Sequence, residues 1–463
     1  MNLNRKNVLV VGLGMTGLAT ARFLHHRGAA VTVTDMVAEE ELVSSVLELH
    51  QMGIRTELDG HCWESFESSD LIVLSPGVPH THDFLIGARQ KGIPVIGEIE
   101  LASRFVRDPI IAITGTNGKT TTTSLLGDML AQCGMRVFVG GNIGEPLIGY
   151  VDREEKADWV VLEISSFQLD TIDTFRPNIG ILLNITADHL DRYANMAGYA
   201  ASKGRIFQNQ TLEDIAIFNA ADPWVLSEAR RIHSRKWVFN GSSTLEEGAR
   251  IMGNDLTLAF TSSPYRQAPS PCAPPTLRTV RLDLGESHLY GKHNQENICA
   301  AVMAAIAAGG DIQKIQSALN QFRGLSHRIE FVQTLNGVTY VDDSKATNVD
   351  AVYRALESFQ EPVILIMGGR DKGGDYRILE KVMQNHVKHL ILLGEAIELI
   401  AAALGNLVPT VRVSSMQEAV TNAHQAAASG DIVLLSPACS SFDMFRSYAH
   451  RGDVFQCEVN KLR

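Results

Sequence analysis

A short glycine-rich segment of this 463-residue chain has the residue types that bind nucleoside phosphates. It reads Thr114-Gly115-Thr116-Asn117-Gly118-Lys119-Thr120-Thr121, after the apolar run Ile110 to Ile113 and before a helical pattern. Backbone N–H groups of such a loop cradle phosphates, the lysine reaches the β and γ phosphoryl groups, and the next hydroxyl binds magnesium. The usual G-x-x-x-x-G-K-[ST] spacing is not met, because Ile113 replaces the first glycine. The segment still predicts a nucleotide site.

Two further polar side chains follow apolar runs of the central region. Glu163 ends the run that begins at Trp159, and His189 lies shortly after the run Ile179 to Leu183. Ligands of open α/β sheets bind outside the carboxyl ends of the strands. We therefore expect Glu163 and His189 to converge, with magnesium, on phosphates bound at Lys119.

A second glycine motif lies at the N-terminus. Gly12, Gly14 and Gly17 follow the first apolar run, and Asp35 ends the next one. This is the pattern of a dinucleotide-binding turn, in which a helix N-terminus attracts a pyrophosphate. Taken alone, the motif predicts NAD, and the alternative is a tight turn without a ligand.

Short apolar runs recur along the chain and must position these groups. They end in Gly, Asp, Ser or Thr and are followed by helical patterns, which indicates strands buried on both faces of a parallel sheet. The fold class predicted is therefore α/β throughout. The runs are Val8 to Val11, Val31 to Thr34, Leu71 to Leu74, Ile110 to Ile113, Trp159 to Leu162, Ile179 to Leu183, Val363 to Ile366, Leu390 to Leu393 and Ile432 to Leu435.

Composition narrows the classes of function. With 41 basic and 52 acidic side chains the net charge is −11, which argues against a general nucleic-acid or anionic-membrane binder. The six cysteines are scattered without zinc spacing, which favours a reduced, cytosolic setting. No apolar run reaches the roughly 20 residues of a membrane span.

Changes of pattern predict three domains, with boundaries at 1–104, 105–324 and 325–463. The first change precedes the phosphate-binding loop, and the second follows an alanine-rich helical region. Within the middle domain, Ser263 to Pro275 holds five of the fifteen prolines. We interpret that segment as a surface loop.

With these motifs in place, the sequence resembles the ATP-dependent Mur ligases of peptidoglycan synthesis over essentially its whole length. The motifs follow the family order. Besides the two glycine motifs they are Ser75-Pro76-Gly77, Gly140 to Gly144, Leu162 to Leu169, Asn184 to Tyr193, Gly291 to Asn297, His327 to Glu330, Asp343 to Asn348 and Leu435 to Ser441.

The resemblance implies a fold and a reaction. The expected domains are an N-terminal Rossmann-like domain that binds a UDP-sugar, a central P-loop ATPase-type domain with a parallel or mixed sheet, and a C-terminal Rossmann-like domain that binds an amino acid. ATP would convert a carboxylate into an acyl phosphate, which an amine then attacks. Substrates held on three domains imply domain closure, which would shield the acyl phosphate from water. The implied cofactors are ATP and two Mg²⁺ ions.

The stretch Asp343 to Asn348, together with the absence of an Asp-Asn-Pro-Arg motif, favours D-glutamate as the amine and UDP-N-acetylmuramoyl-L-alanine as the acceptor. The setting would be cytoplasmic, as a step of cell-wall precursor synthesis. We expect a monomer that binds neither nucleic acid nor membrane.

The resemblance also assigns residues to the ATP and metal sites. Thr120 and Glu163 would hold one magnesium ion, and His189 would hold the other together with Lys203 as a carbamate. With Lys119 these are the expected catalytic groups. The expected ATP-binding residues are Gly115, Thr116, Asn117, Gly118, Lys119, Thr120, Thr121, Asn294, Asn297, Arg328 and Asp343, the last suited to ribose hydroxyls.

Two further sets follow from the motifs. The UDP-sugar set is Gly14, Met15, Thr16, Asp35, Gly77, Asn142 and Ser165. The D-glutamate set is Lys345, Thr347, Lys372, Ser441, Phe442 and Tyr448. Two departures from the family pattern stand out, since Met36 and Val37 replace polar or basic residues after Asp35, and Tyr448 falls where the family often has Phe.

Four alternatives remain at this point. A sister ligase would add L-alanine or a diamino acid, and folylpolyglutamate synthase shares the phosphate loop but not the N-terminal unit. An NAD-dependent oxidoreductase would use the first glycine motif and leave Lys119 without a role. A nucleotide-controlled binding module would bind ATP without releasing phosphate.

Overall fold

A computed structural model describes residues 1–190, 192–240, 247–261, 277–289 and 291–462. The chain divides into two compact units. The first unit comprises Met1–Ile185, Ala197–Gly285 and Asn297–Leu319, and the second comprises Thr186–Met196, Glu286–Glu296 and Asn320–Arg463.

The N-terminal sheet of the first unit has five parallel strands in the order β3-β2-β1-β4-β5. The strands are β1 Asn7–Val11, β2 Ala30–Thr34, β3 Arg55–Glu57, β4 Leu71–Leu74 and β5 Val95–Gly97. The helices are α1 Met15–His26, α2 Val43–Gln51, α3 Trp63–Glu67, α4 Asp83–Gln90 and α5 Glu98–Ser103, with a 3₁₀ turn at Glu39–Glu41. Leu9, Val11, Ile72 and Leu74 pack with Phe66 and Leu85 in one core cluster.

The central sheet of the first unit has nine strands in the order β14-β13-β12-β11-β10-β9-β6-β8-β7. Seven are parallel, and the last hairpins, β12–β13 and β13–β14, are antiparallel. The strands are β6 Ile110–Thr114, β7 Val137–Gly141, β8 Trp159–Glu163, β9 Ile179–Leu182, β10 Ile215–Asn219, β11 Arg235–Phe239, β12 Gly248–Met252, β13 Asp255–Phe260 and β14 Arg278–Asp283.

The helices that accompany this sheet along the chain begin with the one after the phosphate-binding loop. They are α6 Lys119–Gln132, α7 Leu147–Asp152, α8 Ser166–Leu169, α9 Met196–Gly204, α10 Pro223–Ala229, α11 Lys292–Ala307 and α12 Ile312–Gln321, with a 3₁₀ turn at Arg205–Phe207. The proline-rich segment 263–275, interpreted from the sequence as a surface loop, lies outside the described residues.

The sheet of the second unit has six strands in the order β15-β16-β20-β17-β18-β19, and only the β15–β16 pair is antiparallel. The strands are β15 Glu330–Leu335, β16 Val338–Asp342, β17 Val363–Gly368, β18 Val387–Leu393, β19 Thr410–Arg412 and β20 Ile432–Leu435. The helices are α13 Val349–Leu356, α14 Glu380–His386, α15 Ile397–Leu404, α16 Met416–Ala426 and α17 Tyr448–Asn460, with a 3₁₀ turn at Tyr376–Leu379. A buried apolar cluster covers each face of this sheet.

The α/β fold class is confirmed. All nine apolar runs of the sequence lie in strands, although β9 ends at Leu182, one residue before the end of its run. Within the described ranges no helix is long and apolar enough to span a bilayer. Cys62, Cys133, Cys299, Cys439 and Cys457 carry free thiols, and Cys272 lies outside the described residues. The three sheets fall within the three predicted domains, whose exact boundaries stay a prediction.

Candidate active site

The glycine-rich loop lies at the carboxyl end of β6 and leads into α6. Asn184 holds the loop backbone through three hydrogen bonds. The side chain of Asn184 accepts from Asn117 N through Oδ1 at 2.8 Å and donates to the Asn117 carbonyl at 3.0 Å. The backbone carbonyl of Asn184 accepts from Thr116 N at 2.9 Å. Asn184 lies just beyond the carboxyl end of β9, the strand that pairs with β6. The loop is therefore pre-shaped by a side chain that the sequence analysis named only within a motif.

Two lysines converge on one carbonyl of this loop. Lys119 Nζ donates to the Gly115 carbonyl at 2.9 Å and to that of Thr116 at 2.8 Å, while Lys203 Nζ donates to the same Gly115 carbonyl at 2.9 Å. Lys203 is 2% exposed and lies 4.6 Å from the centre of the Tyr199 ring. A helical lysine is solvated by default, so the sequence pattern alone would not have placed this ammonium inside the protein.

Gly118 precedes α6 with a left-handed backbone, φ +85°. A Cβ at this position would lie 2.0 Å from Asn297 Oδ1. Both the conformation and the space therefore require glycine. The contact also brings Asn297, predicted from the sequence as an ATP-binding residue, against the loop that carries Lys119.

Glu163, at the end of β8, offers a buried carboxylate oxygen. Its Oε1 accepts from Asn142 Nδ2 at 2.9 Å, and its Oε2 is buried without a hydrogen-bond partner among the described residues. Four threonine hydroxyls share this condition, those of Thr114, Thr121, Thr122 and Thr123. Unsatisfied oxygens are what magnesium takes as ligands. The unpaired Oε2 of Glu163, at the carboxyl end of the strand next to β6, therefore fits a divalent cation beside the loop.

A cavity of about 570 Å³ lies beside the N-terminus of α1, within the first unit. It collects six of the seven residues predicted to bind the UDP-sugar: Gly14, Met15, Thr16, Asp35, Gly77 and Asn142. It is also lined by Met36, His61, Ser75, His82, Gly141 and Gln168, which the sequence analysis did not single out as binding residues. No lysine or arginine is among the described residues that line it.

Two residues of the UDP-sugar set already have structural partners. Asp35 accepts from Leu13 N at 2.5 Å through Oδ2 and from Val37 N at 2.9 Å through Oδ1, so both oxygens hold backbone around the cavity. Ser165 does not line the cavity but caps α8, accepting from Gln168 N at 3.3 Å. Gln168, within the same capping box, is the residue that reaches the cavity.

The second unit contains the residues predicted to bind D-glutamate. Lys345 Nζ lies 3.8 Å from the centre of the Tyr448 ring, and Lys372 Nζ donates to Thr347 Oγ1 at 3.4 Å. Ser441 is buried, whereas Phe442 is exposed by 66%. The structure thus brings four of the six residues together in two pairs.

Arg451 joins the loops that bear these residues. Its guanidinium donates to the Ser344 carbonyl at 2.8 Å, to the Cys439 carbonyl at 3.2 Å and to the Gly368 carbonyl at 3.4 Å. The side chain is 1% exposed, and burial lowers its pKa to about 10. Its role was not predicted, since an arginine in a polar helical pattern is expected at the surface.

Arg328 and Asp343, predicted to reach ATP, lie close together in the second unit. Asp343 is buried, accepts from Ser436 Oγ at 2.9 Å and from Ile329 N at 3.3 Å, and has its pKa raised to about 7 by burial, against the opposing charge of Arg328. This carboxyl group is thus already bonded within the protein. The neighbouring His327 bonds through Nδ1 to Asp342 at 2.7 Å.

His189 and Asn294 also belong to the second unit. His189 has a left-handed backbone, φ +55°, and its backbone N donates to Asp188 Oδ1 at 3.0 Å. Asn294 lies on α11 three residues before Asn297, so the two amides share one face of the helix.

The chain matches models of known protein families in three consecutive segments. Three family models match: Mur ligase MurD-like, N-terminal domain, at residues 6–97, Mur ligase middle domain at 113–305, and Mur ligase, glutamate ligase domain, at 327–439. Together they span most of the chain.

Two similar proteins match nearly the whole chain. The chain is 50% identical over 460 residues to the UDP-N-acetylmuramoylalanine--D-glutamate ligase of Desulfosudis oleivorans, covering 99% of this chain and 97% of that protein. It is 46% identical to the ligase of the same name from Geotalea daltonii, covering 100% of this chain and 99% of that one.

Among solved structures, a pseudomurein peptide ligase type C from Methanothermus fervidus matches with a TM-score of 0.61 and 20% identity, covering 99% of this chain and 100% of that one. MurF ligase from Thermotoga maritima in complex with ADP matches with a TM-score of 0.60 and 16% identity, covering 99% of each chain. These structures have the same fold as this chain, and the family models and the similar sequences show the family to which it belongs. The chain belongs to the Mur ligase family.

Proposed function

We propose that this protein is an ATP-dependent ligase that joins D-glutamate to UDP-N-acetylmuramoyl-L-alanine through an acyl phosphate, a step of peptidoglycan precursor synthesis. The observation that carries the proposal is the 50% identity, over 99% of the chain, to a protein named for this activity. The proposal includes a cytoplasmic location, a monomeric state and the domain boundaries 1–104, 105–324 and 325–463.

The glycine-rich loop supports the ATP part of this function. Its N–H groups and the ammonium of Lys119 would bind the phosphates of ATP, and the present bonds of Lys119 to the Gly115 and Thr116 carbonyls would be exchanged for bonds to phosphate oxygens. A lysine held at the loop meets the negative charge that builds up on the transferring phosphoryl group. Asn297, in contact with Gly118, fits the role of an adenine-side residue.

Magnesium, when bound, neutralises charge on the phosphoryl group and on the tetrahedral intermediate. Thr120 and Glu163 would hold one ion, with the buried Oε2 of Glu163 as ligand and Asn142 orienting the carboxylate through Oε1. We further propose a second ion held by His189 and by Lys203 as a carbamate. The neutral amine of Lys203 attacks CO₂, a C–N bond forms and one proton is released, which leaves an anionic oxygen ligand.

The cavity beside α1 supports UDP binding. Without a lysine or arginine among its described lining residues, a diphosphate there would be held by the backbone N–H groups and the positive end of α1 near Gly14 and Thr16. The glycine motif that alone predicted NAD is thus proposed to hold UDP. Asp35 would shape the turn, because both its oxygens accept backbone N–H groups.

The second unit supports binding of a dicarboxylic amino acid. Lys345 and Lys372 offer two ammonium groups for two carboxylates, with the hydroxyl of Thr347 beside Lys372. Ser441, Phe442 and Tyr448 complete the proposed set. Arg451 would keep the loops of this set in register through its carbonyl contacts.

A phosphate-release assay tests the proposal. We expect steady release from ATP only when UDP-N-acetylmuramoyl-L-alanine and D-glutamate are both present, and none with Lys119→Ala. Lys156→Ala, an exposed lysine away from the loop, serves as the control. Steady release with either substrate left out, or no release with all three, would refute the ligase. A titration in which NADH binds and UDP does not would instead revive the oxidoreductase.

A further inference from the structure

The loop that carries Lys372 is fixed by the residue before it. Asp371 Oδ2 accepts from Gly373 N at 3.0 Å, and Asp371 Oδ1 accepts from the hydroxyl of Tyr376 at 2.6 Å. Lys372 lies between Asp371 and Gly373, the two residues that the first of these hydrogen bonds joins. Residues 372–375 are exposed, whereas Tyr376 is 5% exposed, so the hydrogen bond ties an exposed loop to the interior.

The hydroxyl of Tyr376 has a second partner in the buried thiol of Cys439. The oxygen and Sγ are 3.1 Å apart, and burial raises the pKa of the thiol to about 11. The proton therefore stays on sulfur, and the thiol donates to the phenol oxygen while the phenol donates to Asp371. This chain of donors orients the hydroxyl toward the carboxylate.

The loop is also joined to two segments that bear proposed D-glutamate residues. Arg370 and Ser440 exchange backbone hydrogen bonds, with Arg370 N donating at 2.9 Å and Ser440 N at 3.0 Å. Lys372 Nζ reaches Thr347 Oγ1 at 3.4 Å. A shift of residues 370–373 would thus change the distance between Lys372 and the other groups of the set.

We propose that Tyr376 is a positioning residue for Lys372, and that its hydroxyl, through Asp371, holds this lysine where the incoming amino acid is bound. The proposal rests on the proposed function, since it names a further residue of the same amino-acid site. Tyr376 itself does not touch the substrate. Its loss is expected to weaken binding of D-glutamate and to leave phosphoryl transfer intact.

The isosteric variant Tyr376→Phe tests this, because it keeps the ring in the core and removes only the hydroxyl. We expect KM for D-glutamate to rise fivefold to twentyfold with kcat within twofold, while KM for ATP and for the UDP-sugar stays unchanged. Tyr353→Phe is the matched control, since Tyr353 lies on α13 of the same unit and its hydroxyl bonds to Glu357 rather than to Asp371.

A double-mutant cycle shows whether Tyr376 acts through Lys372. Added to Lys372→Ala, the Tyr376→Phe change should raise KM for D-glutamate no further, because the lysine it positions is gone. An unchanged KM in Tyr376→Phe would overturn the proposal. So would additive effects in the cycle, or equal rises in KM for all three substrates, which indicate a general structural role.

Hydrogen exchange separates this proposal from the proposed function. In Tyr376→Phe without substrates, the amides of residues 371–373 should exchange faster than in the wild type, and those of Tyr353→Phe should not. Unchanged exchange at these amides would overturn the positioning role even in an active ligase. If the wild-type protein shows no D-glutamate-dependent phosphate release but the loop exchanges faster in the variant, the proposed function has failed and the role of Tyr376 in holding the loop stands.

Discussion

Lys119 and Lys203 donate to the same acceptor, the carbonyl of Gly115, each at 2.9 Å. Two ammonium groups on one carbonyl repel each other, and Lys203 is buried, where the repulsion is weakly screened. The arrangement is favourable when an anion binds between the lysines, or when one of them loses its positive charge. The first change is the binding of ATP phosphates and the second is the carbamylation of Lys203, and both belong to the proposed function.

The first prediction concerns the carbamate of Lys203. Lys203→Ala should lower ligase activity by at least ~10²-fold, because a second-ion ligand is lost, and formate or acetate should restore part of it by supplying a carboxylate. Mass analysis of the native protein in bicarbonate should show one added CO₂. Full activity of Lys203→Ala without added carboxylate would contradict the assignment.

Gly118 provides a second prediction. Gly118→Ala should abolish measurable ATP binding in calorimetry, because its Cβ would lie 2.0 Å from Asn297 Oδ1. Gly134→Ala is the matched control, with φ +87° against +85° at Gly118 but no atom within 4 Å of the added Cβ. Both variants carry the cost of a left-handed alanine, about 1 kcal/mol. Equal ATP affinity in the two would show that the Asn297 contact has no role.

The Lys345–Tyr448 pair gives a third prediction. The ring lies 3.8 Å from the ammonium, and such a contact contributes about 0.5–2 kcal/mol. Tyr448→Leu should therefore raise KM for D-glutamate about twofold to thirtyfold, whereas Tyr448→Phe keeps the ring and should stay within twofold. Steady-state kinetics with varied D-glutamate measure this. Equal effects for Phe and Leu would mean that the hydroxyl, and not the ring, is used.

Two neighbouring glutamates of α5 should respond to pH with opposite sign. Burial raises the pKa of Glu98 to about 7, although the Ile148 and Leu147 backbone N–H groups act against it. Between pH 4.5 and 7 the folded chain then binds more protons at Glu98 than the unfolded chain, so its contribution to stability falls as the pH rises. Glu98→Gln should stabilise the protein at about pH 8 by ~1–3 kcal/mol and lose this advantage at low pH.

Glu100 is the control for that experiment. Burial alone would raise its pKa, but hydrogen bonds from Thr174, Arg104 and the backbone of 173–175 outweigh burial and lower it. Its carboxylate stabilises the fold above its unfolded pKa, and this contribution is lost as the pH falls through the folded pKa. Glu100→Gln should therefore destabilise by ~2–4 kcal/mol near pH 7. Urea unfolding at several pH values measures both, and equal signs for the two variants would contradict the account.

Nine buried strands and the loop motifs were predicted from the sequence, because continuous apolar runs and glycine spacing are local signals. The parallel strand β10 is equally buried but was not among the predicted runs. The short edge strand β3, with the residues Arg55-Thr56-Glu57, was missed because a half-exposed edge needs no apolar run. The antiparallel strands β12 to β14 were missed because exposed or half-buried positions interrupt their apolar residues.

Within the site, the sequence did not predict the features that depend on distant partners. The burial of Lys203 arises from Tyr199 and from Gly115, 88 positions away, and the contacts of Arg451 join segments 344 and 439. Gln168, on α8, and His61, after β3, line the cavity beside α1 from distant parts of the chain. No local sequence pattern encodes these long-range contacts. By contrast, the position of Ser75 at the end of a strand was visible in the sequence.

The identity of the amine tests the central claim most directly. Phosphate release is measured with ATP and UDP-N-acetylmuramoyl-L-alanine, and D-glutamate, L-glutamate, L-alanine and meso-diaminopimelate are compared as the fourth component. The account predicts release with D-glutamate at a rate at least ~10²-fold above that of every other amine. Faster release with L-alanine or meso-diaminopimelate than with D-glutamate would contradict it.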